Sequence, residues 1–185
     1  MTGVSISVNA TEALQRVVAA KRVLNPSVLL TTIGQAHLAW INRNFRAGGL
    51  EQRWPPLAPS TVYGRRQGSS APLQDTGRLR ASFVRGRAGN IFRVSGQTVI
   101  VGSANRVATI HHRGTGPYII RPRGAFLAFP HPEGDATVRG RRGFVRRFVR
   151  HPGLPRRPLL PSQRTAGRIA VRELEAVVKK SLRGT

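Results

Sequence analysis

The feature that most constrains the fold is one long amphipathic segment whose two ends are both marked in the sequence. Apolar side chains recur at helical spacing from Ser27 to Arg46, which predicts a helix with a single buried face that includes Trp40. Asn25-Pro26 predicts its start, because the residue before a proline is disfavoured in the helical region. Gly48-Gly49 predicts its end, since glycine readily adopts the left-handed conformation that stops a helix. A helix of this kind needs a second layer to cover its apolar face.

Short segments in which apolar and polar residues alternate, together with further helices, are predicted to supply that layer. Val4, Ile6 and Val8 alternate with small polar residues, as in a half-buried strand. The other predicted strands are Ser82–Val84, Ile91–Val94, Thr98–Val101, Tyr118–Ile120, Ala125–Phe129 and Phe144–Val149. The other predicted helices are one starting at Asn9 or Thr11 that carries Leu14, Val17 and Val18, one at Ala104–His112, and one at Ser162–Leu182. This order predicts an α+β fold, with an antiparallel sheet packed by N-terminal and C-terminal helices.

The length suits one domain over residues 1–185, with two irregular parts. Residues 53–71, here called the strap, are rich in proline and arginine and read as an extended connection. Residues 131–143 read as a projecting basic loop or a long hairpin. There is no cysteine, which excludes disulfides and thiol-ligated metals. No apolar run reaches the roughly 18 residues of a membrane span, and the first residues lack a secretory signal.

Charge is the second strong constraint. Thirty-one basic residues face seven acidic ones, a formal net charge of +24, and no acid occurs in residues 76–132 or 136–172. A GC-rich genome is one explanation for arginine in place of lysine, but it does not explain the scarcity of acids. Free copies with this field repel each other and attract polyanions. The sequence therefore predicts contact with nucleic acid or with a strongly acidic protein surface.

The densest charge lies in and after the projecting loop. Its members are Arg139, Arg141, Arg142, Arg146, Arg147 and Arg150. One interpretation is a solvated hairpin surface; the other is contact with DNA phosphates or with carboxylates of a partner. No base-reading motif is evident, so contact with DNA would be independent of sequence.

Candidate catalytic and metal-binding residues are incomplete. Asp75-Thr76-Gly77 imitates an aspartic-protease triplet, but the second aspartate that this chemistry needs is absent. Asp75 is expected instead to cap a turn or helix start and to pair with Arg78 or Arg80. The histidines that a zinc site would use have no cysteine or nearby acid to complete it; they are His111, His112, His131 and His151. We therefore predict no enzyme, no cofactor and no metal.

Several short motifs occur in a distinctive order. Trp-x-Pro-Leu-x-Pro-Ser-Thr from Trp54 is followed by Leu-x-Asp-Thr-Gly-Arg-Leu from Leu73 and by Gly-Thr-Gly-Pro-Tyr from Gly114. His-Pro-Gly at 151–153 and Arg-Arg-Pro-Leu-Leu at 156–160 come before the last helix. From Phe45 to the C-terminus this order resembles the bacteriophage virion-morphogenesis and tail-completion (neck) proteins. The chain mixes features of their Mu-like and lambdoid groups.

The resemblance implies a structural subunit of a phage head–tail junction. Such subunits form homo-oligomeric rings, commonly sixfold, between portal-side connector or adaptor proteins and the tail tube or tail terminator. The genome passes through the ring, so sequence-independent contact with double-stranded DNA is also implied. Location in the virion neck follows, after assembly in the bacterial cytoplasm. The alternatives are a tail terminator, a minor tail protein, or a free basic nucleic-acid-binding protein.

The resemblance also assigns roles to residues. The structural motif residues are Asp75, Gly77, Arg78, Leu79, His151, Pro152 and Gly153. The candidates for a subunit interface are Trp54, Leu57, Arg65, Arg66, Arg156 and Arg157. For Trp54 the sequence leaves two positions open, against its own domain or against a neighbouring subunit.

Overall fold

A computed structural model describes residues 3–11, 25–65 and 69–183, and it has the α+β architecture that the sequence predicts. The helices are α1 Pro26–Ala47, α2 Pro59–Gly64, α3 Arg78–Ala81, α4 Arg106–Arg113 and α5 Gln163–Arg183. The strands are β1 Val4–Asn9, β2 Asn90–Ser95, β3 Thr98–Ser103, β4 Tyr118–Ile120, β5 Leu127–Pro130, β6 Ala136–Val138, β7 Arg141–Arg146 and β8 Val149–His151. They form three separate antiparallel sheets.

The main sheet has the order β1-β3-β2. Its pairing places Val8 opposite Val99 and Ile6 opposite Val101, so the alternating apolar residues face one side. Val99 and Val101 are fully buried on that side. Strands β2 and β3 are joined by a two-residue turn at Gly96, whose positive φ of 54° favours glycine.

Helix α1 covers the apolar side of the main sheet. The Asn25 side chain accepts a hydrogen bond from the Ser27 N–H at its start, and Gly48 in the left-handed conformation ends it. Ile33, Ile41 and Phe45 are fully buried. Each such side chain contributes about 1.5–3 kcal/mol to stability by leaving water.

Helix α5 packs on α1 and completes the core. Ala166, Ile169 and Ala170 are buried, while Leu174 and Val177 pack partly buried against the same cluster. The predicted helices Ser27–Arg46, Ala104–His112 and Ser162–Leu182 are confirmed by α1, α4 and α5 within a residue or two. The predicted helix carrying Leu14, Val17 and Val18 lies outside the described residues.

The two smaller sheets, β4-β8 and β5-β7-β6, form an arm, defined here as residues 118–151. Thr115 and Leu154 close its base, with each backbone N–H donating to the other residue at 2.9 Å. None of the arm's residues belongs to the main hydrophobic core as far as the structure describes it. Residues 131–143 contain β6 and the start of β7. Of the two predicted forms of this segment, the structure shows the hairpin and not a loop without strands.

Two strand predictions are wrong. Ser82–Val84 is a turn after the short helix α3, with Phe83 fully buried, because this apolar residue reaches the core from a turn. Phe144–Val149 is not one strand: β7 ends at Arg146 and β8 begins at Val149 in a different sheet. Among the described helices, none combines the length and apolar character needed to cross a membrane.

Candidate interaction surfaces

The strap is fastened to its own subunit by Trp54. The Trp54 N–H donates to the Gly48 carbonyl at 2.8 Å, and its indole lies edge-on to Phe45 with ring centroids 5.4 Å apart. The indole Nε1 donates to the Pro158 carbonyl at 3.1 Å. Only 4% of Trp54 is exposed, so of the two positions that the sequence left open, the structure shows the one against the chain's own domain.

Asn44 of helix α1 binds the turn after that helix and the segment before α5. Its Nδ2 donates to the carbonyls of Pro158 at 3.0 Å and Leu159 at 3.3 Å, while its Oδ1 accepts from the Leu50 N–H at 2.7 Å. The residue is 1% exposed, and every one of these partners is a backbone group. Sequence reasoning gave Asn44 no role, although a polar residue within an apolar stripe was a signal that could have identified it.

Arg157 is also buried, at 4% exposure, and carries no ion pair with an acid in the part of the chain that the structure describes. Its guanidinium donates to the Pro55 carbonyl at 3.2 and 2.9 Å and to the Pro56 carbonyl at 3.2 Å. Burial lowers the pKa of Arg157, and the neighbouring Arg65 lowers it further. The strap of the same subunit thus occupies its Nε and Nη2 donors, and a contact of Arg157 with a neighbouring subunit stays a prediction.

The other interface candidates have different surroundings. Leu57 is half-buried and Arg156 is exposed, so both stay predictions. Arg65 donates to the carbonyls of Ser69 and Ala71, each at 2.7 Å, which closes the end of the strap. Arg66 lies outside the described residues.

Asp75 does not make the contacts that the sequence predicts for it. Gly77, at φ 71°, is the residue before helix α3, and no side chain caps that helix. Within the described residues Asp75 makes no ion pair with Arg78 or Arg80, and its buried Oδ1 has no hydrogen-bonding partner. Among the described residues, Asp75 therefore shows neither the cap of a turn or helix start nor the arginine pair that the sequence predicts. Leu79 is buried and turns α3 toward the core.

His151-Pro152-Gly153 forms a tight turn at the base of the arm. The His151 Nδ1 accepts from the Gly153 N–H at 3.0 Å, and the His151 ring stacks on Tyr118 with centroids 4.8 Å apart. Gly153 has φ 97°, and a Cβ there would lie 2.3 Å from the Thr115 carbonyl oxygen. Only glycine fits this close approach, which explains its place in the motif.

These motifs surround one cavity of about 670 Å³. Its walls include Leu57 of the strap, Asp75 and Gly77 before α3, and His151 and Gly153 of the turn. His111 also lines it, and burial together with Arg157 lowers the pKa of that histidine. Distant motifs therefore belong together because they build one junction between strap, core and arm. In the described residues, no group of three or more His, Asp or Glu side chains is arranged to hold a metal ion.

Two of the predicted contact arginines already have partners within the described subunit. Arg141 donates to the Tyr63 carbonyl at 2.8 Å and lies over the Tyr63 ring, which holds the arm against helix α2. Arg146 pairs with Asp135 at 3.1 Å and covers the Phe144 ring at 4.2 Å. Both therefore have structural roles that the charge pattern did not reveal.

The remaining four arginines are exposed: Arg139, Arg142, Arg147 and Arg150. Among the described residues, none of their side chains has a hydrogen-bonding or acidic partner. The arm as a whole carries eight arginines against two acids. Their field is thus not neutralised by the part of the subunit that the structure describes.

Residues 7–180 match the sequence model of the phage virion morphogenesis family. The chain belongs to that family. The match includes the strap, the cavity and the arm, so all three lie inside the family's shared region. No curated protein and no solved structure shows a significant similarity to the chain.

Membership of the phage virion morphogenesis family confirms the predicted family and associates the protein with the virion. Proteins of such a family are generally structural and not enzymatic. A structural role agrees with the features described above, which are packed side chains, side chains that hydrogen-bond to the backbone, and exposed charge.

Proposed function

We propose that this protein is a structural subunit of the phage head–tail junction, a neck or tail-completion protein that forms a homo-oligomeric ring of six copies. The family supports a virion role, and the arm supports an assembly role. The observation that carries the proposal is the set of four exposed arginines without partners, on an arm outside the main core. In an isolated subunit a positive electrostatic field of this size would only repel other copies.

Inside an assembled particle the same field has partners. Each added copy contributes a formal charge of +24, so a ring of this protein is stable only when other groups neutralise it. Neighbouring connector and tail proteins outside the ring, and the genome within its channel, are the two sources of negative charge at a head–tail junction. The proposed function is joining, without catalysis.

The test is a phage with a stop codon early in the gene for this protein. We expect DNA-filled heads and completed tails that stay separate in electron micrographs of the lysate. Supplying the protein from a plasmid should restore joined particles. Normal, joined virions from the mutant would contradict the proposal.

The same micrographs separate the other virion roles. A tail terminator would leave tails of abnormal length, and a minor tail protein would leave joined particles with incomplete tails. A free nucleic-acid-binding protein is the second candidate, favoured by the net charge alone. It predicts normal joining, together with duplex binding by the purified protein that weakens steeply with salt.

A further inference from the structure

The arm exposes large apolar side chains as well as arginines. Five of the ten large apolar residues that are exposed in the described chain lie within its 34 residues. They are Tyr118 (43% exposed), Ile119 (51%), Phe126 (56%), Val145 (39%) and Phe148 (50%). Single exposed apolar residues are ordinary, but a concentration of them on a cationic element marks an interaction surface.

The strand register places the most exposed of these residues close to arginines. Leu127 pairs with Arg146 at the end of the β5–β7 pairing, and Phe126 and Arg147 directly adjoin that pair in sequence. Ile119 pairs with Arg150, and Phe148 lies between β7 and β8, directly after Arg147 and two residues before Arg150. Exposed apolar and cationic residues therefore adjoin one another where the chain passes from one sheet to the other. We call these five residues the docking strip: Ile119, Phe126, Arg147, Phe148 and Arg150.

The composition of the docking strip points to protein and not to DNA. Sequence-independent duplex binding depends on cations that meet phosphates, and bases stacked in a duplex offer no surface for Ile119, Phe126 or Phe148. Protein interfaces, in contrast, are enriched in aromatic residues and arginine, which supply most of their binding energy. Half-exposed phenylalanines next to arginines have this composition.

Charge also argues against a second copy as the occupant. The whole chain has seven acids. Three of the described ones are already engaged, Asp135 with Arg146, Glu173 with Arg172, and Glu51 with Ser162. A second copy brings another +24 to the interface and few carboxylates. The partner must carry the opposite charge.

We propose that the docking strip binds an acidic protein surface in which apolar residues lie between carboxylates. The proposal rests on the proposed function, since neighbouring proteins of the virion supply that surface. Each strip arginine then meets a carboxylate, while Phe126 and Phe148 enter apolar contacts that exclude water from the ion pairs. Loss of water strengthens the ion pairs beyond what exposed charges reach.

The test measures binding of the full-length protein to four defined probes at about 150 mM salt. They are a 20-residue peptide alternating glutamate with leucine and phenylalanine, a polyglutamate of equal charge, a 20-base-pair duplex and a 20-nucleotide single strand. The variants are Phe126→Ser with Phe148→Ser, which keeps the charge, and Arg147→Gln with Arg150→Gln. The matched control is Val28→Ser with Val171→Ser, two exposed apolar residues outside the arm.

We expect each arm variant to weaken binding of the mixed peptide about tenfold or more. The phenylalanine variant should leave polyglutamate and both nucleic acids within about twofold, and the control should change nothing. An unchanged affinity of the phenylalanine variant for the mixed peptide would overturn the proposal. Equal loss of single-strand binding would indicate base stacking instead. Self-association of the wild type that the phenylalanine variant abolishes would identify a second copy as the occupant.

These outcomes are independent of the head–tail test. If the stop-codon mutant joins heads to tails normally while the strip still prefers the mixed peptide, the proposed function fails and the docking strip stands. If heads and tails stay separate while the phenylalanine variant binds normally, the reverse holds. Circular dichroism of every variant checks that the fold is retained.

Discussion

At the scale of single residues, the buried polar side chains of this protein serve the backbone of its irregular segments. The strap and the segment before α5 have carbonyls outside helices and sheets, and buried carbonyls need donors. Trp54, Asn44 and Arg157 supply those donors to the carbonyls of Pro158, Pro55 and their neighbours. This explains why an arginine can be buried without an acidic partner.

Replacing Trp54 tests that arrangement. We expect Trp54→Ala to lower the free energy of unfolding by about 3–5 kcal/mol, because both the contact with Phe45 and the bond to Pro158 are lost. Leu57→Ala, at a half-buried position of the same strap, is the control and should cost clearly less. Urea denaturation measures both. A loss below about 1 kcal/mol for Trp54→Ala would show that the strap is not anchored there.

His37 gives the fold a sensitivity to acid. It is fully buried on α1, where its Nδ1 lies 2.8 Å from the Ile33 carbonyl. Burial lowers its pKa from 6.5, and this exceeds the opposite effects of the Ile33 and Ala166 carbonyls and of Glu173. The unfolded chain therefore binds the proton more readily than the folded one. Its stabilising effect is complete above about pH 6.5 and decreases as the pH falls toward the folded-state value.

We expect His37→Gln to flatten the loss of stability between pH 7 and pH 5. His111 and His112, whose pKa values burial also lowers, should leave a residual slope in that variant. Denaturation at the two pH values gives the comparison. An unchanged slope in His37→Gln would mean that His37 does not contribute to acid sensitivity.

At the scale of elements, α1 lies so close to the main sheet that a glycine is required at their contact. A Cβ on Gly34 would lie 2.7 Å from Val99 Cγ2 and 2.8 Å from the Phe92 ring. Val99 is fully buried in β3, so a shift of its side chain would disturb the packing of the core. We expect Gly34→Ala to destabilise the protein by about 1–3 kcal/mol, although alanine favours a helix.

Helix α5 contains the matched control. A Cβ on Gly167 would meet nothing within 4 Å. Gly167→Ala should therefore stabilise the protein by about 0.5–1 kcal/mol, the ordinary helical preference for alanine. Opposite signs for the two substitutions in thermal or urea unfolding are the expected result. The same sign for both would contradict the close packing of α1 on the sheet.

The sequence predicts elements well where a period is long or a stop signal is strong. Helix α1 and the turn at Gly96 were predicted because local chemistry decides them. Ser82–Val84 was mistaken for a strand, since a buried phenylalanine in a turn gives the same short apolar signal. The hydrogen-bonding partners of Trp54 and Arg157 could not be predicted, because they lie about one hundred residues away in sequence. Asp75 was misjudged since neighbouring arginines in sequence do not become neighbours in space.

At the scale of the whole molecule, the arm separates structural arginines from available ones. Arg141 holds the arm against helix α2 and Arg146 pairs with Asp135 within the arm, so substituting them would confuse folding with assembly. Substituting glutamine at Arg139, Arg142, Arg147 and Arg150 together should change the free energy of unfolding by less than about 1 kcal/mol. The same variant should fail to restore infectious particles in the stop-codon phage.

A control of equal charge change uses four exposed arginines outside the arm: Arg87, Arg106, Arg164 and Arg168. We expect that variant to restore particles at least ten times better than the arm variant, because the position of the charge matters as well as its amount. Plaque counts on a complementing host provide the measurement. Equal complementation by the two variants would show that only the amount of positive charge matters and that its position on the arm does not.

The central claim is that this protein joins head to tail as a ring whose arm meets acidic neighbours. Cryo-electron microscopy of the head–tail junction in the phage that encodes it tests this most directly. We expect six copies in a closed ring at the junction, each with Phe126 and Phe148 of its arm against a neighbouring acidic protein. A junction without this protein, or a ring whose arms are free in solvent, would contradict the claim.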